Sequence, residues 1–185
     1  LVSLLTVLSF STSTFAKSVS STKQSTQQHQ QYTVNLNKAN AKEIAKLGML
    51  KVSIDDISGI VDIKKAIELD NNFEQAKVAL VQAYLVKGLT DDAIEVTEQW
   101  VAEEPDNIMS YNLAGFVAIQ GNNTELAAQH FNNALELDKT NSASLMFLAG
   151  QSQSNGNLEM ASSYLQKLIS NNPDYVPGLV NNYLI

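Results

Sequence analysis

The sequence predicts an all-α protein, an α-solenoid of stacked antiparallel helix pairs with a 34-residue period. Small residues recur at that spacing at Gly59, Ala93, Ala127 and Ala161. Bulkier residues follow them in the same phase, and the segments end at the same interval. A fixed period of this length is typical of helical repeats, in which one unit cannot cover its own apolar face and neighbouring units must stack.

Each repeating series keeps its phase through the chain, which makes a chance origin implausible. Four positions after the small residues stand Ile63, Thr97, Phe131 and Leu165. Three positions further on stand Ala66, Trp100, Ala134 and Leu168, and the segments end at Asn71, Pro105, Lys139 and Pro173. We therefore place a solenoid at 33–185, with a degenerate unit at 40–73, units at 74–107, 108–141 and 142–175, and a partial unit at 176–185. We expect the array to continue beyond Ile185.

Each unit is predicted to contain two helices joined by a tight turn. The turns are placed at Gly88, Gly121 and Gly156, because glycine takes the left-handed conformation that ends a helix. Gly121 comes one residue early, so we expect one extra residue in the middle turn. Thr90 and Thr124 precede acidic residues and are expected to cap the second helices.

Two series break in one unit in a way that supports the alignment. Thr97 stands where Phe131 and Leu165 are expected, and Trp100 stands where one neighbouring unit has Ala134. These two positions lie about one turn apart on the same helix face. A small and a large residue have exchanged places, which conserves volume. We therefore expect a buried Trp100 rather than a surface one.

The N-terminal region has a different composition. Residues 1–10 are apolar but too short to span a bilayer. Thr14-Phe15-Ala16 then offers a small-x-small cleavage site before Lys17, so 1–16 is predicted to be a signal peptide truncated at its start. The alternative is a buried core segment. The Ser/Thr/Gln-rich residues 17–32 are predicted to be a disordered linker, and structure is expected to resume near a capping box at Asn40 and Glu43.

Composition argues against several functions. The net charge is −7 and the pI is about 4.7, so we expect no nucleic-acid partner. There is no cysteine, and His29 and His130 lie far apart in the sequence. His130 is predicted to be a partly buried structural residue. No catalytic or phosphate-binding motif is present. We therefore expect a protein that is not an enzyme, without metal, cofactor or, in the mature chain, a transmembrane span.

The repeat pattern resembles that of the tetratricopeptide repeat family. The residues of the middle unit that match the family pattern are Tyr111, Ala114, Gly115, Ala118, Ala127 and Phe131, with Lys139 in place of the final Pro. The flanking units match it at Leu80, Tyr84, Ala93 and Pro105, and at Leu145, Leu148, Ala149, Ala161 and Pro173. The resemblance implies a binding groove lined by the first helix of each pair. The positions it implies as groove residues are Gln82, Leu85, Asn112, Phe116, Ile119, Gln120, Met146 and Gln153.

The groove positions lack the Lys and Arg that members of this family use to clamp a C-terminal carboxylate. The prediction is therefore an exported bacterial scaffold, periplasmic or secreted, that binds a peptide or protein partner. An envelope or exopolysaccharide assembly role and a membrane-associated complex are compatible with it. Two alternatives stay open: an accessory domain of a larger cell-envelope enzyme, and a self-associating structural array. Packing between units is an equally good explanation for Leu85, Phe116 and Ile119.

Overall fold

The computed structural model of the protein describes residues 2–172, with side chains from residue 23 onward except at 29, 32 and 34–36. These residues form eight α-helices and no strand, which confirms the all-α prediction. Pro173 and the partial unit at 176–185 lie outside the described residues. The unit boundaries and the signal peptide stay predictions.

The helices follow one another with short connections. They are α1 (Val2–Ser53), α2 (Ser58–Leu69), α3 (Glu74–Val86), α4 (Thr90–Glu103), α5 (Ile108–Gln120), α6 (Thr124–Leu137), α7 (Ser142–Ser154) and α8 (Leu158–Asn171). From α3 onward, the first and last residues of each helix match those of its counterpart in the next pair at the 34-residue spacing. The period of the sequence is thus a period of the backbone.

The chain divides within α3 into two compact units, residues 1–79 and 80–185. In the first unit α1 packs against α2. Its core contains four buried alanines from three helices, with Ile44, Ile67, Leu69 and Phe73 packed around them. Those alanines are Ala41, Ala45, Ala66 and Ala76.

The backbones of α1 and α2 meet at two glycines. A Cβ on Gly48 would lie 2.6 Å from the carbonyl oxygen of Gly59 and 2.6 Å from Cγ1 of Ile63. A Cβ on Gly59 would lie 2.9 Å from the backbone nitrogen of Val52. Backbone atoms cannot move aside as a flexible side chain can, so both positions require glycine for close helix packing.

In the second unit α5 packs against α6 and α7 against α8, while α4–α5 and α6–α7 contacts join successive pairs. Ala118 and Ala127 are fully buried where α5 meets α6. The Phe131 ring lies 4.6 Å from that of Phe147, centroid to centroid, and its edge occupies the space beside Gly115. The aromatic pair therefore joins α6 to α7 across the boundary between pairs.

The exchange of Thr97 and Trp100 is confirmed by burial. Thr97 is fully buried and Trp100 is 2 % exposed. The Thr97 hydroxyl donates to the carbonyl oxygens of Ala93 and Ile94, so its polar atom is satisfied within α4. Trp100 supplies the volume that Thr97 lacks, and the pair keeps the helix packed.

The expected extra residue in the middle turn is wrong. Asn122, not Gly121, takes the positive φ there (56°), and it lies midway in sequence between Gly88 (70°) and Gly156 (75°). The three turns also share the same closing bond: Leu89 N donates to Tyr84 O, and the equivalent bond recurs one period and two periods later. Asparagine tolerates the left-handed region, so the turn keeps its length without glycine at that position.

The predicted caps are also wrong in position. Thr90 and Thr124 are the first residues of α4 and α6, and the N-cap of α6 is Asn123, whose side chain accepts from Leu126 N at 3.1 Å. Asparagine caps α5, α7 and α8 as well: Asn107, Asn141 and Asn157. Leu89, which precedes α4, makes no side-chain cap bond. The caps thus follow the 34-residue period in the later pairs only.

The first helix is longer than the sequence predicts. It includes residues 17–32, which we predict as a linker, and Asn40, which therefore lies inside a helix and does not cap one. The side chains of 23–28 are all exposed. This part of α1 has backbone hydrogen bonds but no burial of those side chains, and backbone hydrogen bonds alone stabilise a helix weakly in water.

Candidate functional site

The first helices of the second unit carry no fixed charge. The segment 80–86 of α3, all of α5 and all of α7 contain no Asp, Glu or Lys. The second helices differ, because they carry acidic residues. On α4 these are Asp91, Asp92, Glu95, Glu98 and Glu103. Any ligand on the first helices would therefore be recognised through apolar contacts and neutral hydrogen bonds.

The eight predicted groove positions lie on these uncharged helices, and the structure separates them by exposure. Five are exposed: Gln82, Phe116, Ile119, Gln120 and Gln153. Three are half-buried: Leu85, Asn112 and Met146. We call the eight positions together the first-helix face. Their role in binding stays a prediction.

Phe116 and Ile119 are the main apolar groups of this face on α5. Phe116 is 48 % exposed and Ile119 is 38 % exposed, and they are three residues apart, so they lie on neighbouring turns of one helix side. Their neighbours Val117 and Ala118 are fully buried. Packing therefore uses the other side of α5 and leaves much of Phe116 and Ile119 free for contact.

One repeat further on, a glycine replaces the phenylalanine. Gly150 of α7 is at the position equivalent to Phe116, and a Cβ added there would meet nothing within 4 Å. The face therefore has a bulky aromatic group on α5 and open space at the matching position of α7. Shape of this kind can accept a protruding side chain of a ligand.

Asn112 is partly engaged in structure. The Ser144 hydroxyl donates to Asn112 Oδ1 at 3.4 Å and to Asn141 Oδ1 at 2.8 Å. Since the shorter bond goes to Asn141, the contact with Asn112 is the weaker one. Asn112 links α5 to the start of α7 through Oδ1, and its side-chain NH2 group can donate hydrogen bonds to a ligand.

His130 is more deeply buried than the partly buried residue that we predict, and it has a partner that sequence reasoning missed. It is 3 % exposed, and its Nε2 lies 2.6 Å from Glu98 Oε1 on α4. The Tyr111 ring lies 6.2 Å from the imidazole, centroid to centroid. Glu98 and His130 are 32 residues apart, two fewer than the 34-residue period, so the repeat pattern gives no signal for this pair.

The second unit also contains an open cavity of about 580 Å³ between α6 and α8. Its lining residues are Asn132, Leu135, Glu136, Lys139, Thr140, Leu145, Tyr164, Lys167 and Asn171. Sequence reasoning missed this cavity, because the lining comes from three helices and a loop. A cavity of the same size in the first unit is lined by Lys42, Ala45, Lys46, Met49, Phe73, Gln75 and Ala79.

Two features are absent from the described part of the chain: a metal-binding cluster and a membrane-spanning helix. Among the side chains that the structure describes, no group of three His, Asp or Glu residues is placed to hold a metal ion. Within residues 2–172, no helix has both the length and the apolar content needed to cross a bilayer.

Comparison with solved structures identifies the fold. A crystal structure of MamA is 18 % identical, with a TM-score of 0.60, and the match covers 74 % of this chain and 80 % of that one. MamA from Desulfovibrio magneticus RS-1 (residue 41 to the end) is 17 % identical, with a TM-score of 0.57 over 72 % and 76 % of the two chains. TTC0263, a thermophilic TPR protein of Thermus thermophilus, is 13 % identical, with a TM-score of 0.53 over 72 % and 75 %.

Sequence comparisons, by contrast, find no match: neither a protein-family model nor a curated protein sequence matches the chain. Identities this low establish the fold and not the function. The similarity to these three structures agrees with the regular helix pairs and the 34-residue backbone period described above. The chain has the tetratricopeptide repeat fold.

Proposed function

We propose that this protein is a non-catalytic interaction scaffold that binds a peptide or protein partner on its first-helix face. The observation that carries the proposal is the absence of charge on α5 and α7 together with the exposed Phe116 and Ile119. A solvent-facing apolar pair on an otherwise neutral helix favours contact with an extended or helical peptide. The similar structures, which include a protein described as TPR, support the same kind of role.

The proposal includes export from the cytoplasm of a bacterium to the periplasm or the medium. It rests on the apolar residues 1–10 and the Thr14-Phe15-Ala16 sequence before Lys17. A role in assembling an envelope or exopolysaccharide complex would fit such a scaffold. Expression of the chain behind a complete leader, followed by N-terminal sequencing of the exported protein, would test cleavage after Ala16.

Binding can be tested by selection of peptides on the immobilised protein. The selected peptides are then titrated against wild type, the double variant Phe116→Ala with Gln82→Ala, and the control Gln129→Ala. Gln129 is an exposed residue of α6, outside the first-helix face. We expect the double variant to weaken binding at least tenfold, because exposed aromatic anchors dominate such interfaces. The control should leave the Kd unchanged.

Salt provides an independent readout. A neutral face should bind with a Kd that changes little between low and high ionic strength, because screening acts on charges. The proposal would be contradicted if none of the selected peptides bound the double variant more weakly than wild type. A selection in which every binding peptide is lost at high salt would also contradict it.

A further inference from the structure

The cavity between α6 and α8, which we call the α6/α8 cavity, is on different helices from the first-helix face. Its base is apolar: Leu145 is 1 % exposed and Leu135 is half-buried. Polar groups surround that base, among them the amides of Asn132 and Asn171 and the phenol of Tyr164. The cavity thus combines an apolar floor with groups that can donate and accept hydrogen bonds.

Two of the three lysines of the second unit line the cavity, and the third is Lys87. After Lys87 the sequence contains twelve acidic residues and only two basic ones, Lys139 and Lys167. Both line the α6/α8 cavity. Neither ammonium group forms an ion pair with the residues that the structure describes. An anionic ligand at this cavity would therefore meet two lysines that no carboxylate of the described residues neutralises.

The backbone around both lysines is held in place. Lys139 lies between Asp138 and Thr140, and Asp138 Oδ1 accepts hydrogen bonds from the Thr140 backbone nitrogen at 2.9 Å and from its hydroxyl at 2.6 Å. On α8, the Asn171 side-chain nitrogen donates to the Lys167 carbonyl oxygen at 2.8 Å. These hydrogen bonds restrain the backbone beside both lysines, and the lysine side chains themselves are exposed.

The preceding repeat shows how the same position can be filled from within. Glu98 and His130 stand one period before Asn132 and Tyr164, and they form the 2.6 Å contact described above. In the α6/α8 cavity a neutral amide replaces the carboxylate and a phenol replaces the imidazole. At the residue equivalent to Glu98 the next repeat has no carboxylate, and the α6/α8 cavity is lined by two lysines and one carboxylate, that of Glu136.

We propose that the α6/α8 cavity binds the carboxylate of a peptide that presents an apolar side chain beside it, as a C-terminal leucine does. Lys139 and Lys167 hold the carboxylate, Leu135 and Leu145 receive the apolar side chain, and Asn132 or Asn171 bonds the adjacent peptide group. A singly charged carboxylate fits better than a phosphate dianion, because Glu136 also lines the cavity and the surrounding region is acidic.

The smallest probe with all three features is N-acetyl-leucine, and N-acetyl-leucinamide is its matched control without the charge. Each is titrated into the ¹⁵N-labelled full chain while the side-chain amide signals of Asn132 and Asn171 are followed by NMR. We expect N-acetyl-leucine to shift both signals in a saturable way. The amide should bind about tenfold more weakly, which corresponds to the loss of one charge-assisted hydrogen bond.

Charge-neutral variants separate this site from general attraction to lysine. Lys139→Gln with Lys167→Gln should weaken N-acetyl-leucine binding about tenfold. Lys38→Gln with Lys65→Gln, which makes the same change in net charge within residues 1–79, should not weaken it. All four lysines are exposed, so unfolding is not expected, and circular dichroism checks this.

Three results would overturn the proposal: no saturable shift at Asn132 and Asn171, equal affinity for the acid and the amide, or equal loss in both double variants. Inorganic phosphate is titrated as a further arm. If phosphate binds this site more tightly than N-acetyl-leucine, the assignment to a peptide carboxylate is wrong. Weaker binding of phosphate supports it. The first-helix face is unchanged in these variants, so the outcome is independent of the proposed function.

Discussion

Two neighbouring positions between repeats of the same solenoid differ: side chains fill the first, and the second is an open cavity. Between α4 and α6, Glu98 contacts His130, and Tyr111 packs near the imidazole. Between α6 and α8, the equivalent residues are Asn132, Tyr164 and Leu145, and they line an open cavity. The helices begin and end at equivalent residues in both places, while the side chains at the equivalent positions differ. The space between repeats can thus be filled by side chains in one place and remain an open cavity in the next.

The largest effect is expected at the closed position. His130→Ala should lower the free energy of unfolding by about 2–4 kcal/mol, because it empties a fully packed site. Tyr164→Ala, at the open position, should lower it by about 1 kcal/mol or less, since its side chain is only half-buried. Urea denaturation followed by circular dichroism measures both.

His130→Phe is the control that separates volume from pairing. It keeps most of the ring volume and removes Nδ1, which has no hydrogen-bond partner in the described structure. Glu98 stays partly hydrated, because its side chain is 44 % exposed. We therefore expect the phenylalanine variant to be more stable than the alanine variant. The opposite order would show that an apolar ring beside the Glu98 carboxylate costs more stability than the cavity that alanine leaves.

A second prediction concerns the backbone that both positions share. Ala127 is fully buried where α5 crosses α6, and Ala127→Leu should lower the free energy of unfolding by about 1–3 kcal/mol through overpacking. Gly150→Leu adds a side chain where nothing lies within 4 Å, so it should change stability far less. Equal effects in the two variants, measured by urea denaturation, would contradict the predicted close crossing.

Transplanting the closed arrangement would sharpen the comparison. Asn132→Glu with Tyr164→His places a carboxylate and an imidazole at the positions equivalent to Glu98 and His130. We expect a gain of about 0.5–1.5 kcal/mol relative to the sum of the two single variants, because the pair adds a hydrogen bond. A double-mutant cycle measures this coupling. A coupling of zero would show that the α6/α8 backbone does not reproduce the α4/α6 geometry.

The smallest effect concerns the loop that carries Lys139. Hydrogen bonds from the Thr140 hydroxyl and backbone lower the pKa of Asp138 below its ordinary 3.8. A lowered folded-state pKa contributes stability that is present above the unfolded-state pKa and is lost as the pH falls through the folded-state value. Thr140→Val should therefore lower the Tm slightly at pH 7, and the difference should shrink as the pH falls below about 4. A difference that is independent of pH would exclude this hydrogen bond as its cause.

The fold was predictable because its main signal is repeated. Any one match, such as Ala127 with Phe131, is weak, but the same pair of positions recurs through the chain. The details were harder to predict because local rules allow several solutions. Glycine and asparagine both accept a positive φ, so the position of Gly121 suggested an extra turn residue that the backbone does not have. Threonine and asparagine both cap helices, and Asn123 serves where Thr124 was expected.

By itself, the sequence determined the helix pairs, their 34-residue period and the burial of Trp100 with Thr97, because these follow from apolar spacing along one helix. Only the tertiary structure decided which side chains from different helices come together. The contact of Glu98 with His130 joins α4 to α6, and Lys139 and Lys167 line one cavity between α6 and α8. The physical reason is that such contacts depend on how successive helix pairs stack. The period along the sequence does not specify how closely two pairs approach each other.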